Sequence, residues 1–539
     1  MNARSEPRAA SPLPALAFAL AVRLLLTFYW LTRFGGHLTE SDAARTTLVI
    51  RSVFESGQLL PAGKPTYPYG YLYPAYVSAL ALLSGLDVLT WQQWLLPFAG
   101  LILTLLAFVL YLRLLGSPKW AACAVTLLNL QGDFLYTSQR GSHEKLDFML
   151  IFLALAVIVL AALKTTSLRQ RLALAAVYYL VILAENTEHV FFATTFTFTL
   201  LLAFLFWLAM RRRQQLQIVA SPWVIYIALM SLLFSFLVIF YWYPPARAIL
   251  YTSRDLLERV RLILFSAAEP PAELYSMVSA NWVLPGAWLW LRVFDIFLFT
   301  TALIGWWRLV RLFFRRSEAS DLSQGSSHFW LLLLFPPFFL QNVAVVISDI
   351  TGSVGEINNL QIRLIPLTAF VAAPLSAYAI SHWAARLRQA TARFATLRAI
   401  VVTLLSAVVL TLTLIKSVSE PLLANAWIFY TPAEEAGLAW LNQNIPYIEA
   451  EIGRRTPRVW AGPTFRLGDL WRQETWSTGD HRIPVFDRGQ TTYTYVLLSP
   501  QVRLNTFRYH EALPNILNAQ RIYVNGEVEI YYLPPEARP

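Results

Sequence analysis

The feature that most constrains this chain is a succession of apolar runs, each close to the length a helix needs to cross a bilayer. A helix rises about 1.5 Å per residue, so about 20 apolar residues cover a hydrocarbon core about 30 Å thick. Such runs lie near 13–32, 90–112, 118–138, 145–163, 172–185, 188–210, 221–243, 287–310, 328–348, 363–384 and 398–417. Backbone in lipid has to satisfy its own hydrogen bonds, so these runs are expected to be helices. Composition agrees: 57% of the 539 residues are hydrophobic and 14% charged, against about 25% charged in a soluble domain. Charge this sparse cannot cover a water-facing surface, and lipid must cover most of it.

The net charge of +11 does not point to nucleic acid, because the bases stand in short clusters between apolar runs. Arg113 with Lys119; Lys164, Arg169 and Arg171; Arg211, Arg212 and Arg213; Arg308, Arg311, Arg315 and Arg316; and Arg386, Arg388, Arg393 and Arg398 fall in alternate loops. This is the positive-inside pattern. It places the N-terminus in the cytoplasm and makes 13–32 an uncleaved signal anchor. With about eleven spans across a cell inner membrane, the C-terminal residues come out on the far side. Tyr71 to Leu86 is left over, and counting it as a span would invert every later basic cluster. It is read as an interfacial helix on the outer face, as is Ser41 to Phe54. The loops 33–88, 138–144 and 244–286 then share that face. The single cysteine, Cys123, excludes an intramolecular disulfide and argues against thiol-ligated metal.

From about Pro421 the composition becomes that of a soluble fold. Thr431-Pro432-Ala433-Glu434 supplies an N-cap, a proline at the first helical position and a capping-box glutamate. Strands are expected at 458–461 and 493–498, and Arg521 to Leu533 reads as a hairpin about Asn525-Gly526. The expected fold class is therefore a polytopic α-helical membrane protein, residues 1–420, carrying a small extracytoplasmic α/β domain, residues 421–539. That domain shows no nucleophile elbow, phosphate loop or metal-ligand spacing. Acceptor binding, a lid and a plain structural cap are its open readings.

Chemistry is expected where acids meet the outer boundary. Glu40 and Asp42 follow the first span, and a carboxylate shielded there can serve as general base toward a hydroxyl. Helix capping is the competing explanation. In Ser138-Gln139-Arg140-Gly141-Ser142-His143-Glu144-Lys145, His143 and Glu144 could orient a substrate or hold a divalent metal, while Arg140 and Lys145 could meet a phosphate. The same letters also fit an N-capped helix start with snorkelling bases. Glu185-Asn186-Thr187-Glu188-His189 suits metal or sugar hydroxyls, although a hairpin turn needs polar caps as well. Arg363, at the outer end of 363–384, can pair with phosphate bidentately or anchor the helix. The loop 244–286, with Arg247, Arg254, Arg259 and Arg261, is longer than a connection needs and is a candidate mobile substrate loop. Arg292 and Asp295, a turn apart, are expected to neutralise each other.

In this arrangement the sequence resembles the GT-C superfamily of membrane glycosyltransferases, including the protein O-mannosyltransferase and aminoarabinose-transferase-like families. The acidic motif Thr39-Glu40-Ser41-Asp42-Ala43-Ala44-Arg45 carries the resemblance, followed by Tyr67-Pro68-Tyr69-Gly70-Tyr71-Leu72-Tyr73-Pro74. The polar loop before Leu146-Asp147-Phe148 and the helix start Ile362-Arg363-Leu364-Ile365-Pro366 complete it. The resemblance implies a polyprenyl-phosphate sugar donor, an outward-facing site and inverting transfer to an acceptor hydroxyl. By position Asp42 matches the family's catalytic base, and Glu144, with Asp147 as rival, matches its second acid. The family often has two adjacent acids in the first loop, whereas here Ser41 separates them.

The reading that follows is a lipid-linked-sugar glycosyltransferase with Asp42, Glu40 and Glu144 at the reacting centre. Arg140, Lys145, Arg247, Arg254 and Arg363 are candidates for the lipid phosphate, with Tyr69 beside the substrate. A divalent cation, Mg or Mn, would fall to Asp42, His143, Glu144, Glu188 and His189. Partners are a polyprenyl-phosphate sugar, an acceptor glycan, lipid or protein, and membrane lipids, with no nucleic acid. A transporter or flippase of lipid-linked sugars is the alternative. No internal repeat is visible, and the acids gather at one face rather than the midplane, which favours the enzyme.

Overall fold

The computed structural model describes residues 11–34, 41–61, 67, 69–163, 167–214, 229–230, 232–233, 236–237, 241–247, 287–315, 322–351, 360–390, 395–417, 432–444, 459–460, 495–500, 502–503 and 513–534. Of Asp42, Arg247 and Arg292 only the backbone is described, and Glu40 and Arg254 lie outside the described residues. The same holds for most of 221–243 and of the loop 244–286.

The helices are α1 (Leu13–Phe34), α2 (Ser41–Ser56), α3 (Leu72–Ser84), α4 (Val88–Leu115), α5 (Pro118–Asn129), α6 (Gly132–Gln139), α7 (Glu144–Leu163), α8 (Leu168–Glu188) and α9 (Val190–Gln214). After them come α10 (Ala287–Arg315), α11 (Leu322–Thr351), α12 (Leu360–Ala390), α13 (Ala395–Ser417) and α14 (Pro432–Asn444). Among the described residues, five helical stretches are long and apolar enough to cross a membrane: Leu13–Thr32, Val88–Leu115, Val190–Ala209, Val293–Phe313 and Arg363–Ala385. Helix α3 has 13 residues, about 20 Å, and falls short of a hydrocarbon core about 30 Å thick.

The centre of the bundle is α12. In its apolar stretch, 83% of the residues are buried inside the protein. Its inner faces carry small residues, Ala369, Ala372, Ala373, Ala377 and Ala379, so neighbouring backbones come close. Gly305 of α10 lies so near the Leu375 carbonyl that a Cβ there would overlap it. Beside it Thr301 donates to Ser376 Oγ at 2.8 Å, and on another face Tyr111 of α4 donates to the Phe370 carbonyl at 2.7 Å. One contiguous apolar core joins α1, α4, α5, α7, α9, α10, α11 and α12.

The run 118–138 is not one helix. It breaks at Leu130-Gln131 into α5 and α6, and three polar contacts satisfy the break. The Gln131 side chain accepts from the Phe134 N–H at 2.6 Å and donates to Asp295 at 2.9 Å. Thr413 of α13 donates to the Leu130 carbonyl at 2.7 Å. Asp295 thus serves the helix break; the expected Arg292 partner cannot be assigned, because that side chain is not described.

At the C-terminal end, β1 (Val459–Trp460), β2 (Tyr495–Leu498), β3 (Gln520–Val524) and β4 (Glu529–Tyr532) form a sheet of order β1-β2-β4-β3. The β1–β2 pair is parallel and the other two pairs are antiparallel. Helix α14 closes a separate core of Leu441, Val496, Leu497, Val502, Val528 and Ile530. Gly526, with φ +94°, makes the turn between β3 and β4.

Candidate active site

A dense group of buried polar residues gathers on the turn between α6 and α7. Helix α6 ends at Gln139, and the next residues fold back on themselves. Arg140 and the Ser142 hydroxyl both donate to the Glu144 carboxylate, closing the turn with a buried ion pair. Lys145 donates to the carbonyls of Arg140 and of Ser142, the latter at 3.1 Å, and its ammonium lies 5.6 Å from the centre of the Tyr73 ring. Gln92, on the π-helical turn Trp91–Leu95 that opens α4, donates to the Gly141 carbonyl at 3.0 Å. Gln92 in turn accepts from the Tyr73 hydroxyl at 2.6 Å. π-turns inside helices occur often at functional sites, where the extra residue re-aims a side chain.

The spacing of His143 and Asp147, four residues apart, stacks them on one face of α7. Their side chains meet, Nδ1 to Oδ2 at 2.8 Å, and the Tyr67 hydroxyl reaches the other ring nitrogen at 2.8 Å. These partners fit an imidazole protonated on Nδ1, donating to Asp147 and accepting from Tyr67. His189 stacks on His143 with ring centres 4.4 Å apart, and Tyr69 stacks on His189 at 5.2 Å.

The aromatic segment reaches this position because it is pinned to the end of α8. Val190 N–H donates to the Tyr69 carbonyl at 2.9 Å, and Tyr71 N–H donates to the Thr187 carbonyl at 2.8 Å. Between them Gly70 sits against the Glu188 carbonyl, where a Cβ would collide. Tyr243, from the segment before 244–286, adds a hydrogen bond to the Tyr67 carbonyl at 2.5 Å.

Residues 185–188 are the last turn of α8 rather than a loop, and His189 alone, in extended backbone, separates α8 from α9. That geometry turns Glu185 and Glu188 inward. Both are buried, and among the described residues neither carboxylate oxygen of either has a hydrogen-bond partner. Oδ1 of Asp147 is in the same condition. Glu188 approaches the backbone N–H of Tyr73 at the start of α3 without reaching hydrogen-bond geometry. Arg363 lies half-buried at the head of α12, close enough to act electrostatically on Glu144, Asp147 and His189. No hydrogen bond or ion pair joins it to another described residue.

Buried carboxylates without donors need a proton or a cation nearby. His143, Asp147 and Glu188 bring one donor atom each to within 4.8 Å of one another; an ion held there would replace one of the hydrogen bonds that occupy the two His143 nitrogens. Of the residues expected to hold metal, His143 and Glu188 belong to this group. Glu144 is taken up by Arg140 and Ser142, and His189 stacks beside it. Asp147, named only as a rival to Glu144, and Glu185 are central here. Gln92 is a long-range member that no local motif marks, while Tyr67 and Tyr73 stand in the aromatic-proline segment without a role expected of them there. Asp42 has no described side chain, but Ala43 beside it is buried within van der Waals reach of a Cβ at Gly141.

Compared with solved structures, the chain is similar over nearly its whole length to two membrane transferases. One is the oligosaccharyltransferase AglB of Archaeoglobus fulgidus, solved with an inhibitory peptide and a dolichol-phosphate. The TM-score is 0.52 at 15% identity, over 91% of this chain and 70% of that one. The other is ArnT of Cupriavidus metallidurans bound to undecaprenyl phosphate, with a TM-score of 0.50 at 12% identity, over 98% of this chain and all of that one. The chain has a GT-C fold. By sequence it matches no family profile and no curated relative. Helices α2 and α3 lie beside the α6–α7 turn, through Ala43 against Gly141 and Tyr73 against Lys145.

Proposed function

We propose that this protein is a membrane glycosyltransferase that moves a sugar from a polyprenyl-phosphate donor to an extracytoplasmic acceptor hydroxyl with inversion. One observation carries the reading: a buried cluster of carboxylates and imidazoles stands beside Arg363, a half-buried guanidinium with no hydrogen bond or ion pair to the described residues. A guanidinium so placed is suited to two oxygens of a lipid phosphate. AglB and ArnT, which share the fold, were both solved with polyprenyl phosphates. That supports the same carrier here.

In this reading Asp42 takes the proton of the acceptor hydroxyl as that oxygen bonds to the anomeric carbon. The bond between that carbon and the phosphate oxygen breaks, and the lipid phosphate leaves with the electron pair. Arg363 stabilises the charge that develops on it. Arg140 and Lys145 hold the turn, and the rings of Tyr69 and His189 border the sugar. A divalent ion on His143, Asp147 and Glu188 would add positive charge near the leaving phosphate.

The test is transfer from a panel of radiolabelled polyprenyl-phosphate sugars by the purified protein in lipid nanodiscs. Asp42→Asn is expected to lower kcat by about 100-fold or more, the usual size of a general-base contribution. Arg363→Gln is expected to raise KM for the donor. Equal turnover by Asp42→Asn would remove Asp42 as base. No donor consumed by folded protein supplied with acceptor extract would turn the reading toward a transporter of the same lipids.

A further inference from the structure

We propose that Arg23 is a positioning residue for the turn Arg140–Lys145, acting through Ser138; the role assigned to that turn rests on the glycosyltransferase reading. Arg23 lies near the middle of α1 and is fully buried. An ionisable side chain at such depth is costly and is usually retained for a task. Among the described residues no carboxylate pairs with it. Its Nη2 donates to Ser138 Oγ at 2.7 Å, and its Nη1 reaches Asn129 Oδ1 at 3.5 Å. The guanidinium lies 5.9 Å from the centre of the Phe134 ring. Helix α4 makes room for it, since a Cβ on Gly100 would overlap the guanidinium.

These contacts matter because α6 is a helix of eight residues, cut from α5 by the break at Leu130-Gln131. Its backbone ladder ends there, so side chains must fix its position. Arg23 holds it on both sides, at Asn129 before the break and at Ser138 in its last turn. One turn along α1, Thr27 accepts from Gln139 at 3.3 Å. The next residue is Arg140, where the polar turn begins. Helix α1 therefore grips the two residues that precede the turn, and the guanidinium is its longest reach.

The experiment compares parent, Arg23→Gln, Arg23→Lys and Ser138→Ala in nanodiscs, by hydrogen exchange and by steady-state kinetics. For Arg23→Gln, exchange over 132–146 should quicken about tenfold or more while 101–115 keeps its protection, the pattern of a local opening. In the same variant kcat should fall about tenfold or more with donor KM changed less than about threefold, as misplacement of reacting groups predicts. Lysine should restore part of both. Ser138→Ala removes the same hydrogen bond and carries the same readouts if Arg23→Gln does not fold. Exchange over 132–146 equal to the parent would overturn the proposal. So would exchange quickened equally over 101–115, because Arg23 would then support the whole bundle. If the parent consumes no donor, the glycosyltransferase reading fails, while the exchange measurement still decides the role of Arg23.

Discussion

At the scale of single residues, the site depends on close approach. Gly70 sits where the aromatic segment crosses the end of α8, and its lack of a side chain lets Tyr69 and Tyr71 bond to Val190 and Thr187. Gly70→Ala has to push the segment away from the Glu188 carbonyl. Overpacking of this kind costs about 1–3 kcal/mol, so thermal unfolding should occur at lower temperature and turnover should drop as the Tyr69–His189 stack parts. Glu188 is open to a sharper check. With His143 and Asp147 it forms the described group fit for a divalent ion, and Glu188→Gln keeps the shape while removing a charge. Mn(II) followed by paramagnetic resonance should bind the parent and bind the variant about tenfold or more weakly, in line with ligand-sphere changes elsewhere. Equal binding would place the ion elsewhere or nowhere.

At the scale of elements, caps and breaks decide where helices begin. Asp87 caps the start of α4, accepting from the Leu89 N–H at 2.6 Å and from the Thr90 hydroxyl at 2.5 Å. Loss of such a cap costs about 1 kcal/mol. The Thr90 hydroxyl, opposed by partial desolvation and aided by the two backbone N–H groups, holds the Asp87 carboxyl below its ordinary value. A lowered folded-state pKa means stability that is complete above the unfolded value, about 3.9, and lost as pH falls through the folded one. The difference in melting temperature between parent and Asp87→Ala should hold steady from neutral pH to about 5 and shrink below about 4. These elements also show what the sequence makes legible. Apolar length located most helices, since lipid leaves the backbone little choice. It missed the break at Leu130-Gln131 because Thr413 and Asp295, far along the chain, satisfy the exposed groups. It read Glu185 to His189 as a loop because a single extended residue between two helices leaves no compositional mark. His143 and Asp147 could have been paired from their spacing. Gln92 enters only through tertiary contacts, as do the particular partners of Tyr67 and Tyr73.

At the scale of the molecule, the alternating basic clusters predict an extracytoplasmic C-terminal end. The C-terminal sheet gives a handle on that orientation. Leu517 is 88% exposed there. The native thiol, Cys123, lies in α5 and can be replaced by serine to leave a silent background. Leu517→Cys should then react with a membrane-impermeant maleimide on intact cells. Labelling only after permeabilisation would reverse the topology.

The broken span bears on how the protein is made. The carbonyl of Leu130 waits for a hydroxyl that lies 283 residues later in the chain. Everything up to α12 leaves the ribosome before that partner exists. Until α13 is made, the half-helix that leads into the Arg140–Lys145 turn has an open polar joint. The candidate site is therefore completed by one of the last helices to be made, and a chain arrested before Thr413 would hold nearly all of the candidate site residues without this support.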